Sequence, residues 1–272
     1  MYNNEDIVLE VRLNTLAKYV HKFVIVESCY DHQGKKKKLN FSLKKFKKFK
    51  EKINYIVLKK FPRGLTNWER ENYNRNYLNE GIKEANANDY IMISDLDEIP
   101  NIKNYEIFQK KKFTVFKQML FYYRFNLLNT SKVNWYGTKA CKKKYLKSAQ
   151  WLRNIKDRNY PWWRIDTMFS DTKYSDIEII NDGGWHFSYI KSPENIEKKL
   201  KSYLHHTEYE LNPVGSEKIS ELIKQKKTVY NLKVDSRSNK FNDGNSLEKL
   251  DINSLPKYIR DNLIKFNDWI IK

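Results

Sequence analysis

The stretch from Tyr90 to Pro100 constrains this chain more than any other, because it joins an apolar run to a group of acids. Its sequence, YIMISDLDEIP, begins with residues of the kind that form a buried strand. It then changes abruptly to the carboxylates of Asp95, Asp97 and Glu98. Side chains two apart in an extended segment point the same way, so the sequence predicts that Asp95 and Asp97 lie on one side of the strand end.

Two neighbouring carboxylates at the end of a strand indicate a cation site. Like charges repel, and burying them without a partner costs on the order of several kcal/mol. A divalent cation removes that cost, and carboxylate oxygens are the ligands that Mg²⁺ and Mn²⁺ prefer. Open α/β sheets also bind ligands at the carboxyl ends of their strands. The alternative is a solvated acidic turn closed by Pro100, and the apolar run before Asp95 favours the metal site.

The chain is strongly basic, with 52 Lys and Arg against 33 Asp and Glu and a formal net charge of +19. Such a charge favours polyanions or anionic membranes as partners. However, Lys, Asn, Ile and Tyr are abundant together, as A/T-rich coding produces, and this general bias explains the charge better than nucleic-acid binding does. The segment 34–50 has nine lysines and no acid. We interpret it as a mostly solvated basic face, and peripheral contact of residues 35–50 with an anionic membrane or polyanion is the alternative.

Cysteine spacing and hydropathy bound the compartment and the domain count. Cys29 and Cys141 have neither metal-site spacing nor a disulfide framework, so we expect two reduced thiols. The sequence starts without a secretory leader, and no apolar run approaches the ~20 residues of a membrane span. We therefore expect a soluble, cytoplasmic protein. The length predicts a single domain over residues 1–272, with residues 190–272 as a mostly helical C-terminal extension.

The first hundred residues alternate between strand and helix patterns. Short apolar segments predict strands at residues 22–27, 53–58 and 90–94. A helix is predicted over residues 66–85, where Trp68, Glu71 and Arg75 share one face. This order predicts an α/β fold with a mainly parallel central sheet flanked by helices.

The remainder of the chain contains further strand signals and one conspicuous histidine. Residues 114–118 and 121–126 predict two strands, and residues 255–271 predict a terminal amphipathic helix. Gly183–Tyr189 places His186 between aromatic residues after two glycines. A histidine in this setting is usually packed in a core, whereas the adjacent glycines would also let it approach a ligand closely.

Four segments carry a resemblance to a known family. They are Leu9-Glu-Val-Arg-Leu13, Lys22-Phe-Val-Ile-Val-Glu-Ser28, Ile93-Ser-Asp-Leu-Asp-Glu-Ile-Pro100 and Gly183-Gly-Trp-His-Phe-Ser-Tyr189. In this order and at these spacings they resemble glycosyltransferase family 17, over residues 5–210. That family includes the transferase that adds the bisecting GlcNAc to N-glycans, together with bacterial and viral relatives.

The resemblance implies a GT-A-like fold that binds a nucleotide sugar. It implies that Asp95 and Asp97 hold Mn²⁺ or Mg²⁺ on the donor diphosphate. It further implies that Glu27 contacts the nucleoside, that Arg75 contacts the donor, and that His186 binds the metal or the diphosphate. The implied reaction is inverting transfer of GlcNAc from UDP-GlcNAc to a glycan, forming a β linkage. Since the sequence shows no N-terminal membrane anchor, a microbial or viral surface glycan is expected as the acceptor in place of an N-glycan.

An inverting transfer requires a carboxylate base within ~3 Å of the acceptor hydroxyl. Asp182 and Glu98 are the catalytic candidates, with Asp182 favoured, and the sequence also offers Asp166 and Glu208. The segment 202–208 resembles a family pattern, but the adjacent His205 and His206 make its register ambiguous. Exposed tryptophans at 162 and 163 would suit stacking on acceptor sugars.

Two other functional classes are compatible with parts of the sequence. A metal-dependent phosphodiesterase acting on nucleic acid would use the same aspartates and a histidine, but it requires a second acidic cluster. A carbohydrate-binding protein without catalytic activity would explain the tryptophans but leaves the acidic strand ends unexplained. The transferase hypothesis accounts for both features.

Overall fold

The computed structural model shows a mixed α/β protein. It describes residues 2, 4–103, 106, 110–131, 134–202, 209, 210, 212–231 and 244–272. The predicted roles of His205, His206 and Glu208 therefore fall outside the described residues. None of the helices in these ranges is both long and apolar enough to span a bilayer.

The N-terminal part contains one helix and a small parallel pair of strands. Helix α1 (Asp6–Leu16) precedes β1 (Phe23–Ser28), which pairs in parallel with β2 (Ile53–Leu58). Both strands match the predicted segments. Between them, the basic segment forms a 3₁₀ helix (Leu43–Lys52) that buries Phe46 and Phe49. The amphipathic pattern of that segment thus covers the strand pair while its lysines face outwards.

The main sheet is built around one long strand, β5 (Phe113–Tyr122). Two neighbours lie antiparallel to it, namely β6 (Leu127–Asn129) and β7 (Trp135–Lys142). Two others, β8 (Ile177–Ile180) and β9 (Gly184–Ser188), lie parallel to its first and second halves. The sheet is completed by antiparallel pairs of β3 (Tyr90–Ile93) with β7, β4 (Glu98–Pro100) with β9, and β10 (Leu247–Lys249) with β6.

The prediction of a mainly parallel central sheet is wrong. The alternation of strand and helix in the first hundred residues holds only for the β1–β2 pair, which is a separate two-stranded sheet. From β5 to β7 the chain passes through short connections, and these join antiparallel neighbours because a parallel crossover needs a dozen or more residues. The predicted strands at 114–118 and 121–126 are replaced by the single strand β5 and the short β6.

The helices are short and lie around the sheets. Beyond α1 they are α2 (Asn67–Asn76), α3 (Ala149–Asn154), α4 (Ile165–Met168), α5 (Pro193–Ser202), α6 (Ser216–Lys224) and α7 (Lys257–Arg260). Further 3₁₀ turns are Tyr77–Ile82, Lys143–Tyr145, Ile252–Ser254 and Asn267–Trp269. Since three of these helices and β10 fall within residues 190–272, that region is helical in part, and its inclusion in one domain stays a prediction.

A local signal explains where helix α2 begins. Thr66 accepts a hydrogen bond from the backbone N–H of Glu69, and the Glu69 carboxylate accepts one from the backbone N–H of Thr66, which forms a reciprocal capping box. The predicted helix over 66–85 changes to a 3₁₀ turn after residue 76. The predicted terminal helix over 255–271 is similarly reduced to α7 and one 3₁₀ turn, and Phe266 is buried there.

The Glu27 carboxylate, at the end of β1, is fully buried and accepts four hydrogen bonds. Its donors are Lys37 Nζ (2.8 Å), the backbone N–H of Asn40 (2.8 Å), that of Phe41 (3.0 Å) and the Tyr55 hydroxyl (2.9 Å). These contacts fasten the basic segment to the β1–β2 pair. The contact of Glu27 with a nucleoside stays a prediction, and the geometry favours a structural role for this side chain.

We predict that Glu27→Gln lowers the free energy of unfolding by on the order of 3 kcal/mol, because an amide N–H would face groups that are all donors. Denaturant unfolding measures this loss. The matched control is Glu51→Gln, which changes an exposed glutamate and is expected within about 0.5 kcal/mol of wild type. A Glu27→Gln protein of unchanged stability that has lost UDP affinity would establish the nucleoside role instead.

Candidate functional site

The site lies at the turn that joins β3 to β4. The backbone N–H of Glu98 donates to the carbonyl of Asp95 (3.1 Å), and the Asp95 N–H donates to the Glu98 carboxylate (3.0 Å). Leu96 and Asp97 form the turn itself. The chain turns at Leu96 and Asp97, so strand alternation does not govern these side chains, and the expectation that Asp95 and Asp97 lie on one side stays a prediction.

The Asp95 carboxylate is held by two arginines from different helices. Arg75 of α2 donates to Oδ1 (3.0 Å) and Arg153 of α3 donates to Oδ2 (3.0 Å). Burial alone would raise the pKa of Asp95, but Arg153 and Arg75 outweigh it and hold that pKa well below its usual range. About a third of the side chain, 36%, remains exposed. Asp95 is thus a permanently charged carboxylate in a fixed orientation with an open side.

The predicted face of α2 is only partly realised. Arg75 pairs with Glu71 (2.7 Å) as well as with Asp95, so these side chains do belong to one network. Gln150 of α3 also accepts a hydrogen bond from Arg75. Trp68, the third residue of the predicted face, is more than half exposed to solvent.

Glu98 lies beneath Asp95 and is fully buried. Arg153 donates to both of its carboxylate oxygens, and Trp135 Nε1 donates to Oε1 (2.9 Å). Arg12 of α1 donates to the carbonyls of Glu98 and Asp95. Since each Glu98 oxygen already accepts hydrogen bonds, the geometry favours a positioning role, and the prediction that Glu98 acts as a base stays untested.

Gly137 on β7 makes room for this buried ion pair. A Cβ atom at this position would lie 1.9 Å from Gln118 Oε1 and 2.8 Å from Glu98 Cδ. Its carbonyl accepts a hydrogen bond from Arg153. The absence of a side chain at Gly137 therefore allows Glu98 and Arg153 to pack against the sheet.

Asp97 meets His186 of β9. His186 Nε2 lies 3.5 Å from Asp97 Oδ1, and the imidazole ring lies against Trp135 at 4.3 Å between ring centroids. Burial tends to raise the pKa of Asp97, but His186 and Lys199 lower it to about 2. Lys199 is in turn paired with Glu5 at 2.8 Å. Asp97 is therefore also ionised, with two potential cations beside it.

His186 is buried in β9 and its Nδ1 has no hydrogen-bond partner among the described residues. The preceding glycine serves the sheet: a Cβ on Gly184, whose φ is +110°, would lie 2.2 Å from the Ile99 carbonyl of β4. The close approach that this glycine allows is thus between strands. Placement next to Asp97 agrees with the predicted site membership of His186, and its binding of a metal or diphosphate stays a prediction.

The structure brings Asp95, Asp97, Glu98, Arg75 and His186 together and leaves the other candidates apart. Asp182 is exposed and accepts a hydrogen bond from Asn101 (2.9 Å). It precedes β9 by two residues, in a bend, and forms no hydrogen bond with the acidic turn among the described residues. Asp166 forms ion pairs with Arg164 and Lys173 on the surface.

A cavity of about 1110 Å³ opens beside Asp95. It lies between α1 and β1 on one side and α2 and β3 on the other, and Arg12 and Arg75 contribute to its wall. Two residues of the wall each keep one buried acceptor atom, Glu71 Oε2 and Asn74 Oδ1, without a hydrogen-bond partner within the described ranges. Because these atoms are closed to solvent, a ligand in the cavity would reach them only after the wall rearranges.

The donor atoms present fit a hard divalent cation in part. Carboxylates suit Mg²⁺ and Mn²⁺, and imidazole suits transition metals. Across the part of the chain that the structure describes, no three His, Cys, Asp or Glu side chains gather around one point. The fit is therefore to a cation held by the carboxylates of Asp95 and Asp97 and completed by phosphate oxygens of a substrate, which is how Mg²⁺ usually binds.

His32 lies close to this network and was not singled out by the sequence. Burial, reinforced by the nearby charges of Arg75 and Lys199, lowers the pKa of His32 to about 3. Its carbonyl accepts a hydrogen bond from Arg70 (3.1 Å). The folded protein therefore keeps this imidazole neutral far below the usual range for histidine.

The fold is that of a mixed α/β protein. Its acidic turn, fixed by arginines beside a large cavity, is suited to a polar, charged ligand. The chain belongs to glycosyltransferase family 17, which it matches over residues 1–269. It is similar to the human β-1,4-mannosyl-glycoprotein 4-β-N-acetylglucosaminyltransferase, with 25% identity over 224 residues that cover 74% of this chain and 41% of the human protein. The proteins of the same description from rat and mouse are 25% and 24% identical over the same shares.

The chain spans less than half the length of these curated relatives. No solved structure shows a significant match. Membership of the family supports the transferase hypothesis over the phosphodiesterase and the carbohydrate-binding protein.

We predict a histidine-dependent loss of stability in acid. The pKa of His32 is lower in the folded state than the ordinary 6.5. The neutral His32 side chain therefore contributes fully to the free energy of unfolding above pH 6.5, and this contribution is lost as pH falls towards 3. By pH 4.5 the loss is roughly 2–3 kcal/mol. Unfolding free energies measured from pH 7 to pH 4.5 should therefore fall less steeply for His32→Gln than for wild type.

The matched control is His21→Gln, because His21 is exposed and meets the same solvent in the folded and unfolded states. It should follow the wild-type slope. Identical slopes for His32→Gln and wild type would contradict the burial of a neutral imidazole beside Arg75.

Proposed function

We propose that this protein is an inverting glycosyltransferase that moves GlcNAc from UDP-GlcNAc to a glycan acceptor. The family match and the activity of the relatives support the reaction class and the sugar. The observation that carries the site assignment is the Asp95 carboxylate, fixed by Arg75 and Arg153 at the edge of the cavity.

The charges around the turn suit departure of a nucleoside diphosphate. Negative charge develops on the leaving diphosphate, and fixed cations stabilise it most where water is excluded. Arg75, Arg153 and Lys199 supply such cations, and all three are held by carboxylates before any ligand arrives. Ion pairs of this kind fix the positions of the cations, so little reorganisation accompanies the reaction.

Asp95 and Asp97 are the residues that would hold Mn²⁺ or Mg²⁺ on the donor diphosphate. A bound divalent cation supplies Lewis-acid stabilisation of the phosphate oxygens. His186 is placed to orient Asp97, since its Nε2 faces Asp97 Oδ1 while Trp135 covers the ring. This arrangement favours a positioning role for His186 over direct binding of the cation.

The nucleoside is assigned to the cavity next to Asp95. Its wall combines apolar side chains with the charged side chains of Arg12, Glu71 and Arg75, so it offers apolar surface for the base and polar groups for the ribose hydroxyls.

The test is nucleotide release from a panel of UDP-, GDP- and CMP-sugars with Mn²⁺ and a mixture of glycan acceptors. We expect release of UDP from UDP-GlcNAc, and a fall on the order of 100- to 1000-fold in turnover for Asp97→Ala, by analogy with the loss of one charge-stabilising group. The control is Asp171→Ala, an exposed aspartate, which should retain wild-type turnover.

Release from GDP- or CMP-sugars alone would show that the donor assignment is wrong. Full turnover by Asp97→Ala, with the melting temperature unchanged, would show that the site assignment is wrong while leaving the reaction class intact.

A further inference from the structure

The most exposed apolar group described in this protein lies between α3 and β8, far along the chain from the acidic turn. We call residues 162–169 the apolar tip. Five of its large side chains are each 68–87% exposed: Trp162, Trp163, Ile165, Met168 and Phe169. Large apolar side chains clustered in this way usually mark an interaction surface, whereas single ones do not.

The apolar tip is presented by an ordered base. The backbone N–H of Lys156 donates to the Thr172 carbonyl (2.9 Å), and that of Tyr160 donates to the Tyr174 carbonyl (3.0 Å). The Asn159 side chain exchanges two hydrogen bonds with the backbone of Ile177 at the start of β8. Because the base is tied to the sheet, the tip projects from the main sheet at a fixed place.

Three basic side chains lie at the base of the apolar tip. Arg158, Arg164 and Lys173 lie over the ring of Tyr160, at 4.8, 5.4 and 5.7 Å from its centroid. The one acid within the tip, Asp166, is paired with Arg164 (2.8 Å) and Lys173 (2.6 Å). These hydrogen bonds lower the pKa of Asp166 to about 2, so its charge is balanced by fixed cations.

We propose that the apolar tip inserts into the surface of an anionic phospholipid membrane. Tryptophan and other large apolar side chains bind at the boundary between headgroups and acyl chains, and neighbouring Lys and Arg residues are attracted to anionic headgroups. The tip combines these two features, and the net charge of +19 on the whole chain is complementary to such a surface.

The same residues fit a glycan platform less well. Stacking on a sugar needs an open flat ring with polar groups at its rim, whereas the Trp162 and Trp163 rings stand at 88° to each other. The Asp166 carboxylate, which could otherwise accept from sugar hydroxyls, is occupied by Arg164 and Lys173. Ile165, Met168 and Phe169 add apolar surface and no polar group that would bind a hydroxyl.

The test is co-sedimentation of the purified full chain with vesicles of phosphatidylcholine alone or with added phosphatidylserine. No sugar or nucleotide is present, so the result is independent of the proposed function. We expect binding to the anionic vesicles. The double variant Trp162→Ser/Phe169→Ser should bind at least about tenfold more weakly for each apolar side chain removed, given the usual transfer free energies.

The matched control is Ile264→Ser, which removes an even more exposed apolar side chain elsewhere and should bind as wild type does. Trp162→Phe, which keeps an apolar ring, should retain most of the binding. Melting temperatures of all variants should equal that of wild type, because these side chains are exposed.

The proposal is overturned if wild type does not sediment with the anionic vesicles, or if the double variant sediments equally well. It is also overturned if the double variant keeps vesicle binding but has a raised KM for glycan acceptors, since the tip would then be an acceptor platform.

Discussion

The ion pair between Arg153 and Glu98 is the interaction on which the rest of the site depends. Glu98 is fully buried, and Arg153 contacts both of its oxygens as well as Asp95. Removing either partner would leave a buried charge uncompensated, at a cost of about 3–5 kcal/mol. The pair therefore couples helix α3 to the turn after β3, and the orientation of Asp95 follows from it.

The long strand β5 provides the frame for this ion pair. It is bordered by β7, which carries Gly137 and Trp135, and by β9, which carries His186. Both neighbours also contact the turn, since Trp135 donates to Glu98 and His186 pairs in register with Glu98. The central strand β5 thus positions both β7 and β9, and the antiparallel pairing of β4 with β9 places Glu98 next to His186.

Local patterns in the sequence predicted the parts of this structure that local forces decide. The apolar segments that became β1, β2 and β3 are of this kind. The acidic turn that follows β3 was the less favoured alternative to an extended strand end. Arg153 could not be predicted, because it lies 58 residues from Asp95 and belongs to no quoted segment. Arg12 lies in the segment Leu9–Leu13, but its contact with the Asp95 carbonyl, 83 residues away, could not be read from that segment. Strand direction was predicted wrongly because the pattern within a strand does not encode its direction, and the alternation of the first hundred residues does not extend to β5, which is followed through short connections by its antiparallel neighbours β6 and β7.

Isothermal calorimetry of UDP binding, with Mn²⁺ and then with EDTA, tests the central claim that Asp95 and Asp97 hold a cation on the donor diphosphate. We predict binding in Mn²⁺ that weakens at least about tenfold in EDTA, which corresponds to ~1.4 kcal/mol. Asp97→Ala should bind UDP weakly under both conditions. A UDP affinity of wild type that is the same in Mn²⁺ and in EDTA would contradict the account.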